Sequence, residues 1–159
     1  MSDTEYHRRT AITRLALSDA DEQLLQQTVA EYMNGCQIAA DIAWQRCHSK
    51  SDIQQLAYDD VLDNTELGSQ HAILACHQVA ENIKSCITRR QKGEKASKPT
   101  YTTPAVTYDS RTMTIVTDQQ QVSLTTHGDT PRVRAGLVLP ENDDGSPPPH
   151  PKSDQGEPT

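Results

Sequence analysis

The feature that most constrains this chain is a change of period close to Lys98. Before it, apolar residues recur at steps of three and four, the spacing of an amphipathic helix. After it threonine takes over: of 17 Thr in the chain, 10 lie between Thr100 and Thr130. Side chains branched at Cβ favour strands. A chain of 159 residues that switches period at that point reads as α+β, with helices ahead of an antiparallel sheet.

The helical part opens at Ser18, with Asp21 three residues on to complete a capping box. Leu25, Val29, Tyr32, Cys36, Ala39, Ala43 and Cys47 then form one stripe, with Asn34-Gly35 as a possible break inside it. Ser51 with Gln54 starts a shorter helix carrying Ile53, Leu56, Ala57, Val61 and Leu62. A third helix from about Gln70 to Arg90 has its stripe at Ile73, Cys76, Ala80, Ile83 and Ile87. Three such helices should pack on each other.

On the β side, Ala105 to Tyr108, Thr112 to Thr117, Gln121 to Thr126 and Val133 to Leu139 read as short strands. Asp109-Ser110, Asp118-Gln119 and His127-Gly128-Asp129 separate them. One further strand, Arg9 to Leu17, precedes the helices and has no neighbour until the chain returns near Thr103. It is expected to pair with the later strands, which makes the helices an insertion in a small β-domain. From Glu141 the sequence is polar and rich in Pro, Asp and Gly, and is expected to be disordered. The organisation is therefore 1–17 first strand, 18–92 helical insert, 93–102 basic linker, 103–140 antiparallel β segment and 141–159 disordered tail.

Composition narrows the classes of function. Apolar residues make up 34% and Phe is absent, so the core must be thin and built from Leu, Ile, Val, Ala and Cys. No run approaches the ~20 apolar residues that span a bilayer. The charged start lacks the apolar stretch of a signal peptide. A soluble cytoplasmic protein with no membrane partner is expected. The net charge of -7 is unfavourable for nucleic-acid binding on average, yet it hides a local reversal. Lys84, Arg89, Arg90, Lys92, Lys95 and Lys98 are opposed only by Glu94, and Arg8, Arg9 and Arg14 form a second group. Such clusters contact phosphates; at a helix C-terminus they also suit the helix dipole.

No motif points to an active site. Asp59, Asp63 and Glu66, beside Asp60, could share a helix face for a divalent cation, but a solvated acidic face is the simpler account. Ser-His-Asp, HExxH, GxGxxG and Walker patterns do not occur. Cys36, Cys47, Cys76 and Cys86 include no C-x-x-C pair. Although Cys47-His48 and Cys76-His77 offer ligand types, the cysteines read as buried thiols, reduced and without zinc. No cofactor is expected. Tyr101 and Tyr108 could stack on bases, but Tyr in a strand more often packs in the protein, and Trp44 reads as a core or interhelical residue.

The segment YDDVLDNTELGSQHAILACHQVAENIKS (58–85) resembles the N-terminal region of the OrfB/TnpB proteins of insertion sequences. So do TVAEYMNGCQIAADIAW (28–44), YDSRTMTIVTDQQQVSLTT (108–126) and RVRAGLVLP (132–140). The phrasing is closest to versions from halophilic archaea, and the likeness covers about Arg8 to Pro140. The resemblance implies part of a transposon-encoded, RNA-guided endonuclease. Its β-barrel wedge domain carries a helical recognition domain inserted after the first strand, and both parts hold guide RNA and the guide–target duplex. The fold implied is α+β: a three-helix recognition-type lobe inserted after the first strand of a small antiparallel β wedge, barrel-like and incomplete.

The nuclease of that family is a later RuvC-like domain with three acidic residues and a CxxC…CxxC zinc ribbon, to which no position here corresponds. The expectation is thus a truncated, non-catalytic protein with at most weak binding to structured guide-type RNA or DNA. Its cationic positions would be Arg8, Arg9, Arg14, Lys84, Arg89, Arg90, Lys92, Lys95 and Lys98. Unpaired strand edges would favour self-association. The alternatives are a stand-alone helical protein-interaction module, indifferent to RNA, and an inactive pseudogene product.

Overall fold

The computed structural model describes residues 14–138. The element order is β1 (Arg14–Ala16), α1 (Asp19–Ala43), α2 (Lys50–Asn64), α3 (Ser69–Gln91), β2 (Met113–Val116), a 3-10 turn (Thr117–Gln119), β3 (Gln121–Leu124) and β4 (Val133–Val138). Three helices and a four-stranded antiparallel open sheet give an α+β fold. Arg8, Arg9, most of the expected first strand and the expected disordered tail lie outside the described residues.

Local chemistry sets the helix ends. Ser18 Oγ accepts from Asp21 N at 3.1 Å, and Asp19, Asp21 and Glu22 place negative charge on the first turn of α1, where the helix dipole favours it. The second helix starts on Ser49, whose Oγ accepts from Asp52 N at 3.1 Å. That corrects the expected start at Ser51: both serines head a plausible capping box, and the earlier one is used. At the end of α3, Glu94 N bonds Arg89 O at 2.9 Å and Gly93 N bonds Arg90 O at 3.0 Å. With Gly93 at φ +83°, this is a Schellman stop, a backbone shape that glycine adopts without strain.

The possible break at Asn34-Gly35 is not used, and α1 runs through it. A Cβ on residue 35 would stand 3.0 Å from Leu67 Cδ1 and 3.1 Å from Val61 Cγ1. The glycine therefore serves close approach of α1 to the α2–α3 corner rather than a turn. Around it lies the main core, in which Tyr32, Cys36, Ala39, Ala40, Ala43, Ile53, Ala57, Val61, Ala72, Ala75, Cys76, Val79, Ala80 and Ile83 are buried. The expected stripe on α3 is displaced: Ile73 and Ile87 are only half-buried, while His71, Ala72, Ala75, Val79 and Cys86 are buried.

The strand order is β1-β4-β3-β2. Arg14 stands opposite Val138, Ala16 opposite Gly136, Val122 opposite Ala135 and Met113 opposite Leu124. The first strand thus pairs with the last, as its isolation ahead of the helices required. Strand alternation puts Val122, Leu124, Val133 and Ala135 on the inner face, where Leu15, Leu17, Leu25, Tyr108, Met113 and Leu137 add to the cluster around Val122, Leu124 and Ala135. Ile115 points the same way but lies on the edge strand β2 and is 50% exposed.

The expected strand at Ala105 to Tyr108 does not form. Residues 95–112 run as a strap over α1 and α3, and side chains on the helices claim its polar groups. Gln37 Oε1 accepts from Tyr101 N at 3.2 Å, Gln78 Oε1 from Thr107 Oγ1 at 3.1 Å, and Asn82 Oδ1 from Tyr101 Oη at 2.8 Å. Bound in this way to helices, the strap pairs with no strand.

Candidate nucleic-acid interface

The stretch expected as a basic linker is a pinned corner. Arg90 turns back over the Schellman stop and donates from Nε and Nη2 to Ala96 O at 3.0 and 2.7 Å. Its guanidinium also lies 5.1 Å from the centre of the Trp44 ring, a favourable cation–π distance. Cys86 Sγ donates to Ser97 O at 3.4 Å, and Arg89 Nη2 reaches Cys86 Sγ at 3.7 Å. Lys98 pairs with Asp41 at 2.7 Å. That ammonium and Gln37 hold the Asp41 carboxyl below the usual range.

The nine sequence-predicted cations therefore separate by role. Arg8 and Arg9 lie outside the described residues. Arg90 holds the corner together and Lys98 is neutralised by Asp41. Lys84, Lys92 and Lys95 are exposed, with no carboxylate partner among the described residues. Together with Arg89 they form the free positive charge at the C-terminal end of α3.

Arg14 is not part of this group. It lies on the outer face of the sheet, opposite Val138. Arg134 shares that face, opposite Ser123. Arg132 lays its guanidinium across β3, donating to Ser123 Oγ at 2.9 Å and Thr125 Oγ1 at 2.7 Å. Arg132 and Arg134 were not singled out from sequence. The signal available was the alternation in Arg132-Val133-Arg134-Ala135, which puts both arginines opposite the buried side.

A cleft of about 570 Å³ opens between α1, α3 and the strap. Tyr32, Cys36 and Cys86 form its apolar lining, and Gln78, Asn82, Ser85, Arg89 and Lys95 its polar one. Burial pushes the Cys36 thiol up to about 12 and the Cys76 thiol up to about 11, so both are neutral near pH 7. All four cysteines are free; Cys36, Cys76 and Cys86 are buried and Cys47 half-buried. Among the described residues no three His, Cys, Asp or Glu side chains come together as a metal site. Asp59, Asp60, Asp63 and Glu66 are all exposed.

Tyr101 and Tyr108 are packed in the protein, the simpler of their two readings. Tyr101 bonds Asn82, and Tyr108 donates to Thr125 O at 2.9 Å; burial raises both phenols, Tyr108 to about 12. Trp44 caps α1 and packs against the helical core. No helix among the described residues is long and apolar enough to cross a membrane. Comparison with family models, with curated proteins and with solved structures finds no match for this chain.

Proposed function

We propose that this chain is the guide-RNA-holding part of an OrfB/TnpB-like protein: a wedge-and-recognition fragment that binds structured RNA through phosphates and carries out no cleavage. The observation that carries the reading is the uncompensated charge of Lys84, Arg89, Lys92 and Lys95 at one corner of an otherwise acidic protein. The three-helix lobe lying between the first strand and the rest of the sheet is consistent with the wedge-and-recognition layout of that family. Phosphate contacts position a ligand without reading its sequence, so preference among sequences is slight. Such a protein works in the cytoplasm with its RNA. Its open sheet edges, β1 and β2, offer unpaired backbone groups for self-association.

Salt titration of binding to a structured RNA tests the reading. Four phosphate contacts give a log–log slope of about -3. Replacing Lys84, Lys92 and Lys95 with Ala flattens the slope by about 2 and leaves the helical circular dichroism intact. Arg90 is left in place because its guanidinium is already committed to Ala96 and Trp44. Absence of RNA binding at low salt overturns the proposal in favour of a protein-interaction module. Cleavage of target DNA that co-purifies with the protein overturns its non-catalytic half.

A further inference from the structure

The cleft beneath the strap shares Arg89 and Lys95 with the basic corner. We infer that it is a subsite for a single nucleotide, the phosphate held at Arg89 and Lys95 and the base edge at Asn82. The inference rests on the phosphate-binding reading of these same cations.

Size and charge come first. A volume of about 570 Å³ lies within the ~300–1,000 Å³ usual for small-ligand sites. Among the described residues no Asp or Glu lines the cleft, whereas Arg89, Lys95 and Lys98 do. Lys98 is occupied by Asp41, which leaves Arg89 and Lys95 for an anion.

Hydrogen-bond direction then narrows the other end of the ligand. Thr107 Oγ1 donates to Gln78 Oε1 at 3.1 Å, and Gln78 Nε2 donates to Asn82 Oδ1 at 3.2 Å. Tyr101 Oη donates to the same Asn82 oxygen at 2.8 Å. With two donors on Oδ1, the Asn82 oxygen is satisfied. Its Nδ2 has no acceptor among the described residues, so what Asn82 offers the cleft is a pair of donors. The complementary group is an acceptor; a keto oxygen such as those of uracil or guanine suits it best, since the exocyclic amino group of adenine donates and leaves only ring nitrogens to accept.

Spacing joins the two ends. Gln78, Asn82, Ser85 and Arg89 all line the cleft from α3. Seven residues at 1.5 Å rise separate Asn82 from Arg89 by roughly 10 Å, a span that a nucleoside monophosphate bridges. Tyr32, Met33, Cys36 and Cys86 supply a largely apolar wall for the face of the base.

The ligand is either a free nucleotide or one unstacked nucleotide of a strand, and the test separates them. Nitrogen-labelled full-length protein is titrated with uridine monophosphate, adenosine monophosphate and an oligouridylate, following the Asn82 side-chain amide and Arg89 Nε. Shifts at both with uridine monophosphate and with the oligonucleotide, and weaker ones with adenosine monophosphate, are expected. Ser85→Trp, which fills the cleft from an exposed position, should weaken the oligonucleotide about tenfold, as loss of one held base does.

Shifts with the mononucleotide and no oligonucleotide binding support the subsite, assign it to a free nucleotide and remove the guide-RNA reading. Oligonucleotide binding that moves Lys84 and Lys92 but leaves Asn82 still overturns the subsite alone. No response to any of the three ligands overturns both.

Discussion

The helical lobe and the sheet bury their surfaces in opposite ways. In the helical core seven of the fifteen buried residues are Ala, at positions 39, 40, 43, 57, 72, 75 and 80. Small side chains let the helices approach closely, and Gly35 takes that to its limit against Leu67 and Val61. The sheet has three buried apolar residues in its own cluster, and exposes Ile115 and Val138 by about half. Lacking aromatic bulk, this sequence makes a dense core only where elements can come close together. Strands held about 4.8 Å apart by their ladder cannot exploit small residues in the same way.

The largest effects should separate the two regions by stability. Ile53 is fully buried, so Ile53→Ala should cost about 2–5 kcal/mol in chemical denaturation. Ile115→Thr, at the half-exposed sheet edge, should change stability by no more than about 0.5 kcal/mol. Similar losses at the two sites would break the contrast.

A pH titration probes the seam between the regions. His71 is buried between Tyr32 of α1 and Tyr108 of the strap, with ring centres at 6.0 and 4.9 Å. Among the described residues neither of its ring nitrogens has a hydrogen-bond partner. Burial holds its pKa below the ordinary 6.5, while the nearby Asp109 carboxylate pulls the other way. The unfolded chain then binds a proton more readily than the folded one. This contribution to stability is complete above 6.5 and is lost as the pH falls below it. Thermal melts from about pH 7.5 to 5.5 should show a falling Tm. His71→Leu should flatten the dependence, leaving the part due to His77, whose pKa burial also lowers. The Asp109 carboxyl, held below its usual range by Thr112, Arg111 N and Gln70, adds a separate loss only at lower pH.

Capping sharpens the comparison within the helical lobe. Ser18→Ala and Ser49→Ala each remove one cap bond and should each cost about 1 kcal/mol. The smallest effect belongs to Gly35→Ala. Helix propensity gains about 1 kcal/mol, while the new methyl presses on the ends of Leu67 and Val61. Differential scanning calorimetry should therefore find a net change near zero.

Much of this arrangement was legible in the sequence because it depends on neighbours. The Ser18 cap, the three helices and the last three strands follow from residues a few positions apart. The misreadings came where distant partners decide. Gly35 looks like a turn until Leu67 and Val61 are placed beside it. Ala105 to Tyr108 has strand composition, but Gln78 on α3 takes Thr107. The basic cluster was visible as charge. That Lys98 answers Asp41 and Arg90 closes on Ala96 was not, since both depend on how the strap is laid down.

The pairing of β1 with β4 has a consequence for the order in which this protein can be made. Helices α1, α2 and α3 are successive in sequence and pack on one another, so their contacts are available soon after each emerges, and local contacts fold fast. Arg14–Ala16 is synthesised before all of them, yet its ladder partner ends at Val138. At ~5–20 residues per second, the first strand waits roughly 6 to 24 seconds for that partner. Through that interval its backbone edge is open to other chains, beside a helical lobe already folded. A ribosome that pauses near the strap lengthens the exposure, and aggregation during synthesis should rise with the pause even though the finished protein is unchanged.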